Sequence, residues 1–112
     1  MIGKAKMRDL FDGMNGTERD FAIQLEARKR AGDIREWFFE GMTLKLADDC
    51  RYTPDFMVID KDCTILFMET KGFWREDAKI KIKVAAKMYP FKFTAHKKIP
   101  IKQGGGWTEE EF

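Results

Sequence analysis

Apolar positions first recur at helical spacing in Phe21, Ala22 and Leu25, within a run from Glu18 to Ala31 that Gly32 closes. Thr17, followed three residues later by Asp20, gives an imperfect capping box, and the run is read as a first helix. Ile34 to Glu40 and Met42 to Ala47 are rich in β-branched and aromatic residues, with Gly41 between them as a bulge or turn. Two short strands or one bent strand fit this pattern. Asp48, Asp49 and Cys50 make a polar turn before Arg51 to Asp60, where Phe56, Val58 and Ile59 read as a buried strand. After a turn at Lys61, Asp62 and Cys63, the segment Thr64 to Thr70 is the most strand-like in the chain. The short link predicts a hairpin.

A second helix is expected from about Asp77 to Met88, ended by Tyr89 and Pro90. Its apolar stripe is read as Ile80, Val84 and Met88, with Lys79, Lys83 and Lys87 forming a separate basic row that points away from the core. Phe91 to Ala95 reads as a closing strand. Met1 to Asn15 has no firm period and reads as a loop, short helix or loose basic arm. Gly104, Gly105 and Gly106 mark residues 103–112 as a flexible tail. The order α-β-β-β-α-β predicts an α/β fold with a mixed β-sheet flanked by helices.

A length of 112 residues suits one domain, with a core thin enough that a homodimer would add stability. The 21 basic and 19 acidic residues leave a formal charge of +2, so the chain as a whole is not a nucleic-acid-coating protein. Local clusters therefore matter more. No apolar run is long enough for a bilayer, and Cys50 and Cys63 are expected to stay reduced in a cytosol. They read as half-buried thiols, with a neighbouring arrangement across strands left open, and His96 reads as a surface histidine. Zinc-ligand spacing is missing.

The chemistry concentrates between Arg51 and Gly72. Pro54 cannot sit deep in a ladder, so Asp55 stands at an irregular strand start where its carboxylate can reach solvent or a metal. Strand alternation puts Phe67, Glu69 and Lys71 on one face, with Met68 and Thr70 on the other. An ion pair at a fraying strand end would account for Glu69 and Lys71 alone. The hairpin brings Asp55 across from Glu69, however, and two facing carboxylates repel unless a cation joins them. Mg2+ takes hard oxygen ligands, typically one or two carboxylates with waters and phosphate oxygens. Asp55 and Glu69 supply that set, the carbonyl of Thr70 is a third candidate, and Lys71 can hold the attacking water and offset phosphate charge.

The strings Tyr52-Thr53-Pro54-Asp55-Phe56 and Glu69-Thr70-Lys71-Gly72-Phe73-Trp74 resemble the PD-(D/E)XK nuclease superfamily, and within it phage endonuclease I and related small phage nucleases. The resemblance follows the element order from about Glu18 to Ala95. It implies a restriction-endonuclease-like core and a Mg2+-dependent endonuclease, with Mn2+ able to substitute. It also implies branched DNA, such as a Holliday junction, as substrate, a homodimer making paired cuts, and the cytoplasm of a bacterial host if the chain is phage-encoded. A glutamate on the first helix joins the site in those enzymes, and the preceding Asn15-Gly16-Thr17 matches Glu18 to it. Glu26 is the rival, although it lies beside Arg30.

Substrate contacts are expected from Lys79, Lys83 and Lys87, with Arg75 and Lys81 near the helix start, because their helix follows the catalytic strand and its N-terminus favours phosphate. Phe73 and Trp74 either stack on an unpaired base or serve as core or dimer contacts. Flaps, nicked duplex and single strands remain rival substrates. A DNA-binding or assembly module without catalysis is the rival class.

Overall fold

The computed structural model describes residues 10–72 and 75–112, so the expectations for Phe73, Trp74 and the first nine residues lie outside the described residues. The elements run α1 (Gly16–Arg30), β1 (Ile34–Phe39), β2 (Leu44–Ala47), β3 (Cys50–Tyr52), β4 (Phe56–Asp60) and β5 (Ile65–Lys71). After them come α2 (Glu76–Met88), β6 (Lys92–Lys98), a 3-10 turn (Ile101–Gln103) and β7 (Trp107–Glu111). The result is an α/β fold around a mixed sheet of order β1-β4-β5-β6-β7, in which β5 and β6 run parallel and the other neighbours antiparallel.

Local chemistry explains most of the boundaries. Asn15, and not Thr17, caps α1: its Oδ1 accepts the Glu18 amide at 2.8 Å, while Glu18 Oε1 accepts the Asn15 amide at 2.9 Å. The β4–β5 turn is fastened by Asp60 Oδ1, which accepts the amides of Asp62 and Thr64. The expected hairpin therefore forms, with Phe56 opposite Met68 and Ile59 opposite Ile65. Just beyond β1, position 41 requires glycine because a Cβ there would stand 2.7 Å from the Phe38 Cβ. Arg51 to Asp60 is two strands, since Thr53, Pro54 and Asp55 break the ladder between β3 and β4. Cys50 belongs to β3 rather than to the preceding turn, and both cysteines are free thiols.

Because neighbouring strand residues point to opposite faces, the sheet carries two cores. Met68, Phe56 and Val58 pack against Phe21, Ala22 and Leu25 of α1 on one face. Phe67 and Phe93 pack against Ile82 and Ala85 of α2, with Leu44 and Tyr52 of the separate β2–β3 hairpin, on the other.

Two sequence expectations are corrected by this packing. The buried stripe of α2 is Ile82 and Ala85, whereas Ile80 (57% exposed), Val84 and Met88 face outward. The segment expected as a tail is β7, hydrogen-bonded along β6 from Thr94↔Glu111 to Lys98↔Trp107. The Trp107 ring meets Phe21 edge-on at 5.2 Å, which fastens the end of the sheet to α1. Among the described residues, no helix is long and apolar enough to cross a membrane.

Candidate active site

The registers bring five strand ends to one rim of the sheet. Phe39 at the end of β1 pairs with Phe56 at the start of β4, Lys71 at the end of β5 pairs with Lys97 on β6, and Lys98 pairs with Trp107 at the start of β7. The break at Pro54 lies on this rim and lifts Asp55 out of the ladder. Its backbone is still held at both ends: the Asp55 carbonyl accepts the Glu40 amide at 2.7 Å, and the Asp55 amide donates to Glu69 Oε1 at 2.9 Å.

The side chains interlock as well. Asp55 Oδ2 accepts the Thr70 amide at 2.9 Å and the Thr70 hydroxyl at 3.2 Å. Glu69 Oε2 lies 3.2 Å from Lys71 Nζ, as the strand alternation requires. Glu69 is only 4% exposed, and burial, followed by the nearby Asp55 charge, raises its pKa above the ordinary carboxylate range, with Lys71 opposing. A buried acid disfavoured in its ionised form is a strained group, and it is compensated here by one ammonium and one backbone amide.

Tyr52 adds a member that the sequence reading did not single out. Its hydroxyl is buried close to the Glu69 carboxylate without completing a hydrogen bond of ordinary geometry, and burial followed by the Glu69 charge drives its pKa far above the phenol range. The signal was available in part, since Tyr52 lies three residues before Asp55 and alternates into the same core as Phe67. A cavity of about 250 Å3 opens over these groups, lined by Arg51, Tyr52, Thr53, Asp55, Glu69, Lys71, Ala78 and Lys81. Arg51 and Lys81 are the basic residues on its wall beyond Lys71. Lys81 Nζ donates to the Arg51 carbonyl at 3.1 Å, which ties α2 to β3 beside the carboxylates.

Glu18 comes near this centre from α1. Burial raises its pKa, the Asn15 capping bond opposes the rise, and the charges of Asp55 and Glu40 add to it while Lys71 opposes. Glu40, exposed and at φ 50°, is thus a further carboxylate on the rim that the sequence reading passed over. The rival Glu26 is occupied elsewhere: its Oε1 accepts the Trp37 indole N–H at 3.0 Å and its Oε2 the Arg30 Nε at 3.1 Å. These bonds lower its pKa and join α1 to β1.

The expected basic row divides. Lys83 and Lys87 are exposed, as is Arg75 at the cap of α2, but Lys79 is partly covered and lies 3.5 Å from Glu110 of β7. His96 is a core residue, not a surface one, with 8% exposure. Its Nε2 is 2.9 Å from the Thr94 hydroxyl and its ring 4.7 Å from that of Phe21, and burial lowers its pKa, the Glu109 charge opposing.

The donor chemistry suits a hard divalent cation. Carboxylate oxygens accept more than one partner each, so Asp55 and Glu69 keep lone pairs beyond their protein hydrogen bonds. Among the described residues no group of three or more His, Cys, Asp or Glu side chains stands ready to hold a metal. Two carboxylates completed by carbonyl, water and phosphate oxygens is the pattern Mg2+ favours over an all-protein cage. A scan against protein-family models found no match, and searches of curated proteins and of solved structures found none either.

Proposed function

We propose that this protein is a metal-dependent endodeoxyribonuclease of the PD-(D/E)XK type, acting on branched or otherwise structured DNA. The observation that carries the reading is the fastening of Asp55 to Glu69 and Thr70 through backbone amides, with Lys71 against Glu69, at the mouth of an open cavity with basic residues on its wall. Preorganised groups of this kind are what phosphodiester hydrolysis needs, because charge grows on the phosphate as one P–O bond forms from water and another breaks.

Asp55 and Glu69 would hold Mg2+ or Mn2+, with the Thr70 carbonyl as a further ligand and Glu18 approaching from α1. The bound cation supplies Lewis acidity toward the phosphate and a more acidic water. The chain's own groups do the remaining work. Thr70 keeps the Asp55 carboxylate in one orientation through two hydrogen bonds. The Lys71 ammonium orients the attacking water and offsets negative charge in the transition state, while Arg51 and Lys81 receive phosphate oxygens along the cavity wall. Arg75, Lys83 and Lys87 give α2 a basic outer surface for flanking phosphates, and Lys79 contributes less because Glu110 is beside it.

A four-way junction needs two cuts, so the branched-DNA reading carries a homodimer with it, checked by gel filtration. The central test incubates the protein with four-way junction, flap, duplex and single-stranded DNA in Mg2+, Mn2+ or EDTA. Cutting is expected in either metal and absent in EDTA. Lys71→Ala should lower the cleavage rate by about 100-fold or more while DNA binding persists. Binding of DNA by the wild type with no cutting in either metal would establish the non-catalytic module instead.

A further inference from the structure

The rim that carries Lys71 continues into a hairpin whose tip has no role in the chemistry above. Lys97 is the register partner of Lys71, and adjacent strands lie about 4.8 Å apart, so β6 leaves the sheet immediately beside the catalytic strand. From Phe91 to Thr108 the chain contains four lysines and no acidic residue. Two of them are committed: Lys92 lies near Glu111, and Lys98 pairs with Asp20 of α1. Lys97 and Lys102 are exposed.

The tip is tied to itself by its backbone. Backbone hydrogen bonds run from the Gln103 and Gly105 amides to the Pro100 carbonyl, from Gly104 to Ile101, and from Ile99 to Gly106. Gly104, Gly105 and Gly106 all have positive φ, which allows this tight return, and a Cβ on any of them would meet nothing within 4 Å. Ile101 is held at the apex with 89% of its surface exposed, more than any other large apolar residue described. A single exposed isoleucine is ordinary. One held out on a tied turn, with exposed lysines at its side and at the base of the hairpin and a catalytic lysine one strand away, matches the apolar wedge and phosphate anchors of DNA-bending proteins. A cavity of about 320 Å3 beneath the tip, lined by Lys97, Lys98, Ile99, Pro100, Gln103 and Thr108, leaves room for a backbone to approach.

We infer that the β6–β7 hairpin grips duplex DNA beside the cleavage site, with Lys97 and Lys102 on phosphates and Ile101 wedged against the bases in the groove. This inference rests on the nuclease reading for its substrate. It adds an element outside the metal-binding residues and fixes the side of the active site along which the duplex runs.

The test measures binding of fluorescein-labelled duplex and four-way junction by anisotropy in EDTA, over a range of salt, for wild type, Ile101→Ala, Ile101→Ser, Lys97→Ala and Lys102→Ala. The same variants are then assayed for cutting in Mg2+. The three side chains replaced are exposed, and unchanged thermal melting confirms that the fold is kept. Loss of Ile101 should weaken binding by about tenfold, since burying its side chain is worth that much. Each lysine removed should reduce the slope of log affinity against log salt by about 1. A duplex with 2-aminopurine next to the contacted step should brighten with wild type and stay dark with Ile101→Ser. Wild-type binding matched by all four variants overturns the inference, and cutting in that case leaves the nuclease reading intact. Hairpin-dependent binding with no cutting in Mg2+ or Mn2+ does the reverse. An absence of binding by wild type overturns both.

Discussion

Glu69 shows what the candidate site demands of a single residue. Its carboxylate is buried beside Asp55, and its pKa is raised by that burial, so ionising it opposes folding. The contribution of a raised carboxylate pKa to stability is fully present below its unfolded value and is lost as pH rises through the folded one. Metal-free wild type should therefore lose stability, relative to Glu69→Gln, as pH rises above the ordinary carboxylate range. Urea unfolding of the two proteins across that range checks this, and a gap that stays constant with pH would contradict it. Tyr52 belongs to the same account, because its buried hydroxyl lies near Glu69 with no well-formed partner.

Among the elements, α2 has two apolar stripes, and only the sheet decides between them. Ile80, Val84 and Met88 recur every fourth residue, but Ile82 is 1% exposed and Ala85 is fully buried against Phe67 and Phe93. Ile82→Ala should cost about 2–5 kcal/mol in a denaturant titration, as deletion of a buried aliphatic group usually does. Ile80→Ala should stay within about 0.5 kcal/mol of wild type, like other surface changes. Comparable losses for the two variants would mean that the outer stripe is covered in solution, as it would be in a dimer.

For the whole molecule, the proposed function would link activity and stability through a bound cation. A ligand that binds only the folded state stabilises it, by about 2.7 kcal/mol at 100 times its dissociation constant. Adding Mg2+ or Mn2+ should raise the melting temperature of wild type, and Asp55→Asn should abolish most of that rise, because one of two close carboxylates is neutralised. A rise of equal size in Asp55→Asn would remove Asp55 from the metal site. The arrangement also explains why β7 matters: it closes the edge of β6, packs Trp107 on Phe21 and anchors the hairpin beside the rim that carries Asp55 and Lys71.

Features that depend on neighbours a few residues apart were legible in the chain before it folded. Alternation set Glu69 and Lys71 side by side, Pro54 set the break that frees Asp55, and the short turn at Lys61 to Cys63 set the register that brings Asp55 to Glu69. The sequence placed helix α1 to within two residues, although Asn15 rather than Thr17 proved to cap it. Tertiary structure decided the rest, because those choices are made by distant partners. A strand as polar as Trp107–Glu111 forms along the edge that β6 offers, and His96 is buried with the Phe21 ring against it. Glu18 comes within the field of Asp55 and Glu40 through packing that no short-range pattern encodes. Local periodicity can say that a helix has an apolar side, but not which of two such sides meets the sheet.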